Sequence, residues 1–119
     1  MDMSAAVGSP PRPTVAHLDL IRSVLGSDHA TAELLGVSRS QLTRWRRGQT
    51  PEPLNADGLA ALALLVEMLC GWLEAEVVAE WLHGANAHLD GRTPAFMLRQ
   101  HRLADVIGAL EAEKRGVFA

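Results

Sequence analysis

Residues 59–73 decide much of the fold, because apolar side chains would lie on nearly all sides of a helix drawn through them. Such a helix needs neighbours on most of its sides, so we expect it at the centre of the domain or of a dimer interface. The run contains Glu67 and is shorter than the roughly 20 residues that a bilayer crossing needs. We therefore expect a buried core helix and no association with a membrane.

The composition is typical of one small globular domain, or of two very small ones that share a core. The chain has 119 residues, of which 48% are hydrophobic and 21% charged, and this excludes disorder throughout. The single cysteine, Cys70, excludes a disulfide framework, and we expect it to be buried and inert beside Leu69 and Trp72. The first residues lack the features of a secretory signal, so we expect a cytoplasmic location.

Apolar residues recur at helical spacing along most of the chain after a proline-rich segment, residues 1–13, which we predict to be flexible. No alternation of apolar and polar residues is long enough for a sheet, so the predicted fold class is all-α with about seven helices. The predicted helices are residues 14–25, 28–35, 38–47, 55 or 57 to 73, 74–82, 93–100 and 103–115.

Several helix boundaries carry residue types with a specific capping chemistry. Asp28 can cap the second helix, and Ser38 with Gln41 forms the Ser-x-x-Gln pattern of a capping box. Thr93 and Pro94 are a typical cap and first helical residue. Three glycines are predicted to end helices: Gly26, Gly36 and Gly116.

Residues 32–45 have the sequence form of a helix-turn-helix, in which Gly36 separates two short helices. Leu42 and Trp45 are spaced to pack inward. At about 100° per residue, a polar and basic set falls on the opposite side of the second helix. This set consists of Arg39, Ser40, Thr43, Arg44, Arg46 and Arg47.

Such a basic face suits the major groove of DNA, where Arg can donate two hydrogen bonds to a guanine edge. The first four residues of the set lie near the start of the helix and are the expected base readers. Arg46 and Arg47 are the expected phosphate contacts. The alternative is an ordinary solvated helix face without a DNA partner.

The net charge of −3 hides an asymmetry between the two halves. Residues 12–47 contain six Arg and three acidic residues, whereas residues 48–119 contain five basic and ten acidic residues. A basic half joined to an acidic half indicates two surfaces for different partners, although scatter on a small protein is the alternative.

The two halves resemble two known modules. The Gly36-Val37-Ser38 turn, Arg44-Trp45 and Gly48 resemble the Xre-type helix-turn-helix of bacterial regulators. Residues 86–98, Asn-Ala-His-Leu-Asp-Gly-Arg-Thr-Pro-Ala-Phe-Met-Leu, together with the closing Gly-Val-Phe-Ala, resemble the MbcA/ParS toxin-binding domain. Residues 14–119 are therefore similar to an antitoxin of the Xre-MbcA-ParS family, with a DNA-binding region at 14–54 and a toxin-binding region at 55–119.

The resemblance implies a RES-domain toxin that destroys NAD as the partner, and an antitoxin that also represses its own operon by binding operator DNA. Because a helix that is apolar all round has more apolar surface than a monomer of this size covers, we also expect residues 59–73, with Trp72 and Trp81, to form an oligomer contact, and hence a homodimer within a larger toxin–antitoxin complex. The implied toxin-binding element is the tail: Gly116, Val117, Phe118 and Ala119. One difference from relatives is the segment Gln100-His101-Arg102, where they often carry a small or acidic linker.

Considered without the resemblance, residues 91–97 have the pattern of a tight turn followed by the start of a helix. Gly91 allows a tight turn, and Phe96 and Met97 are expected to fill a core. No catalytic, metal or cofactor site is indicated, because no two histidines have the i, i+4 spacing of a helical zinc site and no phosphate-binding loop is present. Two alternatives to the antitoxin stay open: a helix-turn-helix repressor without a toxin partner, and an interaction module that does not bind DNA.

Overall fold

The longest helix of the computed structural model, α4 (Pro53–Cys70), lies at the centre of the molecule and packs against α1, α2 and α5. The structure describes residues 13–116, and the predictions made for residues 1–12 and 117–119 fall outside this range. Within it there are seven α-helices, one 3₁₀ helix and no strand, so the predicted all-α class is confirmed. The other elements are α1 (Pro13–Leu25), α2 (Asp28–Leu35), α3 (Arg39–Arg46), α5 (Ala75–His83), the 3₁₀ helix (Ala87–Leu89), α6 (Pro94–Arg99) and α7 (Leu103–Gly116).

Helix α4 begins earlier and ends earlier than its sequence predicts. It starts at Pro53 because a proline at the first helical position lacks only an amide that would have no intrahelical partner. Its 18 residues are long and apolar enough to resemble a membrane span by length and composition, as the core helices of soluble proteins also do. Six of its side chains are buried in the core, which explains this composition: Leu59, Leu62, Ala63, Leu65, Val66 and Leu69.

One side of α4 faces solvent in the single chain, so its contact with a second copy stays a prediction. Leu54 and Leu64 are 59% and 47% exposed. Cys70 is exposed as well, so the predicted burial of its thiol is wrong. Helix α4 ends at this residue, and the chain turns away immediately after it.

The core contains side chains from both halves of the chain. Leu18 and Ile21 of α1 are fully buried, as are Val106 of α7 and Leu82 of α5. Contacts join α1 to α5 and α2 to α6, so helices before and after residue 54 pack on one another. The two predicted regions therefore share one hydrophobic core.

In helix α6, one of the two residues predicted to fill the core lies on the surface. Met97 is buried, but Phe96 is 42% exposed. The inward side of this six-residue helix is occupied by Pro94, Ala95 and Met97, and Phe96 points in the opposite direction. Phe96 is therefore a surface residue.

Candidate DNA-binding and toxin-binding surfaces

The turn between α2 and α3 is built by local hydrogen bonds. Gly36 has a left-handed backbone with φ of 72°, and the amide of Val37 donates to the carbonyl of Ala32 at 3.0 Å. The Ser38 hydroxyl accepts from the amide of Gln41 at 3.2 Å, and the Gln41 side chain accepts from the amide of Ser38 at 3.4 Å. The predicted turn and capping box are confirmed.

The capping residue of α2 lies one position before the predicted one. The cap is Ser27, whose hydroxyl accepts from the amide of Ala30 at 3.1 Å. Asp28 is the first helical residue. Its carboxylate is thereby free to face α3.

Helix α3 has one buried side and one exposed side. Leu42 and Trp45 are 0% and 2% exposed and anchor it to the core. Five residues of the predicted DNA-binding set are exposed on this side: Arg39, Ser40, Thr43 and Arg44 of α3, and Arg47 directly after it. The structure therefore presents three guanidinium groups and two hydroxyls along one short, firmly anchored helix.

Arg46 is the exception to this arrangement. Its Nε and Nη2 atoms each donate to an oxygen of Asp28 at 2.9 Å, and its Nη1 donates to Asp19 at 2.7 Å. The paired hydrogen bonds with Asp28 raise the pKa of Arg46 and lower the pKa of Asp28. Arg46 thus joins α3 to α1 and α2 in this structure, and its contact with phosphate stays a prediction.

The segment between α5 and α6 is a closed turn made by its own backbone. The buried Asn86 accepts from the amide of Gly91 and donates to the carbonyl of Arg92, at 2.9 and 3.0 Å. Asp90 and Gly91 both have a left-handed backbone, which confirms the tight turn. Thr93 then caps α6 by accepting from the amide of Phe96 at 3.0 Å.

The turn after α6 has the same hydrogen bonds as the turn after α2. The amide of Arg102 donates to Met97 and that of His101 donates to Leu98, at 3.0 and 2.9 Å. These are the two bonds of a Schellman motif, with His101 in the left-handed position that glycine usually takes. The segment Gln100-His101-Arg102 thus forms an ordinary helix end.

The last helix is held at its C-terminal end by Glu113, a residue that the sequence did not single out. One oxygen of its carboxylate accepts from Trp81 Nε1 at 3.0 Å, and the other accepts from Asn86 Nδ2 at 3.5 Å. No local signal marks this role, because both partners lie about 30 residues away in sequence. Gly116 is exposed in the final turn of α7, whereas Val117, Phe118 and Ala119 lie outside the described residues.

Comparison with curated proteins finds similarity to antitoxins. The relatives are the mycobacterial cidal antitoxins MbcA of Mycobacterium tuberculosis and Mycobacterium bovis. This chain is 29% identical to them over 87 residues, which cover 72% of the chain and 77% of the relative. No family model and no solved structure matches the chain significantly. The similarity supports an antitoxin role and, with it, a toxin partner.

Proposed function

We propose that this chain is the antitoxin of a toxin–antitoxin pair, a cytoplasmic regulator rather than an enzyme. Its toxin is a RES-domain protein that degrades NAD, and the antitoxin blocks the active site of that toxin. It also represses its own operon by binding operator DNA through an Xre-type helix-turn-helix, residues 14–54. The observation that carries the proposal is the similarity to MbcA over 72% of the chain.

The element proposed to enter the toxin is the tail formed by Gly116, Val117, Phe118 and Ala119. It follows directly on α7, whose end Glu113 holds against Trp81. Burying a Phe side chain contributes roughly 1.5 to 3 kcal/mol, so Phe118 favours an apolar pocket over water. A pocket that binds NAD accepts planar rings, and Phe118 would occupy that space as a plug.

The decisive experiment removes Val117, Phe118 and Ala119 and measures NAD consumption by the purified RES-domain toxin. We expect the full chain to stop NAD consumption and the shortened chain to leave the toxin active. Operator binding and the melting temperature should be unchanged, because the deletion leaves all of α7 in place and the proposed partner of the removed residues is the toxin. Full inhibition by the shortened chain would show that the tail is not the plug.

The proposed DNA surface is the exposed side of α3. Arg39, Arg44 and, directly after the helix, Arg47 face solvent, and none of the three forms a salt bridge within residues 13–116. The proposed homodimer presents two copies of this surface to a roughly palindromic operator.

A repressor without a toxin partner is the main alternative function. An open reading frame for a RES-domain protein beside the gene favours the antitoxin, and its absence favours the repressor. An interaction module that does not bind DNA would fail to retain operator DNA at moderate salt.

A further inference from the structure

A surface cleft of about 360 Å³ lies between α5 and the end of α7. We refer to it as the α5 cleft. Leu73, Val77 and Trp81 form its apolar wall, and Val77 is 39% exposed. Glu80 and Glu113 also line it, and no Lys or Arg is among its lining residues. The α5 cleft is thus an apolar depression with an acidic rim.

The α5 cleft begins one helical turn from the tail. Glu113 precedes Gly116 by three residues, a rise of about 4.5 Å along α7. The three residues that follow Gly116 can span at most about 10 Å when extended. A protein that receives this short tail in a pocket must therefore lie against the end of α7, and hence close to the α5 cleft.

The tail alone is too small to hold a stable complex. A specific interface buries about 800 Å² on each partner. A Phe side chain supplies about 150 to 250 Å², and Val and Ala supply less. Further contact is required on the surface that surrounds the tail.

We infer that the α5 cleft is a second contact surface for the toxin, and that it receives an apolar side chain flanked by Lys or Arg. This inference rests on the proposed function, because the occupant is the same toxin. Glu76 and Glu80 are neighbours at i, i+4 on α5, and neither forms a salt bridge within residues 13–116. Glu80 and Glu113 line the α5 cleft itself, so basic groups on the partner find a complementary rim.

The test measures binding of catalytically inactive RES-domain toxin to the antitoxin by calorimetry. Val77→Asp places a charge in the apolar wall, and Glu80→Lys reverses the charge of the rim. Leu54→Asp is the matched control. Leu54 is an exposed apolar residue in a different cleft, and Leu103 lines that cleft as well. Leu103 lies about 15 Å from Glu113 along α7, at the opposite end of that helix.

We expect each of the two cleft variants to weaken binding of the full chain at least tenfold, and the control to bind like the wild type. A chain that ends at Gly116 should still bind the toxin without inhibiting it, and Val77→Asp in that shortened chain should remove the remaining binding. Circular dichroism and operator binding verify that each variant folds. If Val77→Asp does not fold, Glu80→Lys alone tests the α5 cleft.

Wild-type affinity in both cleft variants would overturn the inference. Complete loss of binding in the chain that ends at Gly116 would overturn it as well, since the tail would then be the whole interface. A change in the oligomeric state of free Val77→Asp, measured by light scattering, would instead assign the α5 cleft to contact between copies of this chain. Failure of the wild-type chain to bind the toxin at all would refute the proposed function itself.

Discussion

At the scale of single residues, Arg46 fixes how α3 sits on the molecule. It is one guanidinium group that binds carboxylates from α1 and α2 while belonging to α3. Its side chain is 22% exposed and that of Asp28 is 25% exposed, so water screens this pair less than a surface pair. The bond to Asp19 contributes less, because that side chain is 62% exposed. In this structure Arg46 therefore holds α3, and with it the exposed arginines, against α1 and α2.

We expect Arg46→Ala to lower the free energy of unfolding by about 1 to 3 kcal/mol, because it leaves Asp28 without its charged partner. Arg47→Ala, at an exposed neighbouring position, is the control and should change it by less than about 0.5 kcal/mol. Urea denaturation measures both values. An equal loss of unfolding free energy in the two variants would contradict the role of Arg46 in holding α3 against α1 and α2.

The pH dependence of the same pair has a definite sign. Arg46 lowers the pKa of Asp28 in the folded state. The ion pair therefore stabilises the fold fully at pH values above the pKa of an unfolded-state Asp, about 3.9. It is lost as pH falls through the lower folded-state pKa. The stability difference between wild type and Arg46→Ala should therefore be constant near neutral pH and shrink below about pH 4.

At the scale of helices, the sequence is informative where the interacting residues are close along the chain. The Ser38 capping box, the Gly36 turn and the Thr93 cap involve partners within five residues, and all three were predicted. Arg46 and Glu113 were missed as structural residues because their partners lie 18 to 32 residues away. Which side of a short or uniformly apolar helix faces the core depends on such distant neighbours.

Helix α4 tests this last point, because two adjacent leucines in it have opposite environments. Leu65 is fully buried, whereas Leu64 is 47% exposed. We expect Leu65→Ala to lower the free energy of unfolding by about 2 to 5 kcal/mol through the cavity it leaves. Leu64→Ala should cost less than about 1 kcal/mol, since nearly half of this residue is already exposed to water. Similar losses in both variants, measured by urea denaturation, would mean that the side assignment of α4 is wrong.

At the scale of the whole molecule, charge is divided between two surfaces on one core. The exposed side of α3 carries arginines, whereas the α5 cleft is lined by carboxylates. This division agrees with the excess of basic residues before residue 48 and of acidic residues after it. A small protein can thus present one surface suited to a polyanion and a separate one suited to a basic partner.

The salt dependence of operator binding can count both the arginines and the protomers involved. If Arg39, Arg44 and Arg47 each neutralise one phosphate, a dimer contacts six phosphates and the slope of log K against log salt is about −5. A single protomer would give about −3, and any arginine that reads a base makes the slope shallower. Arg46 should not contribute, because its donors are occupied by Asp19 and Asp28.

Fluorescence anisotropy with a labelled operator at several salt concentrations measures this slope. The Arg39/Arg44/Arg47 triple alanine variant should lose operator binding, while Arg92→Ala, outside α3, should retain it. A slope near −7 would mean that Arg46 leaves its carboxylates to contact phosphate in the complex, since eight arginines would then take part. Unchanged affinity in the triple variant would remove α3 as the DNA-binding surface, because no other group on its exposed side carries positive charge.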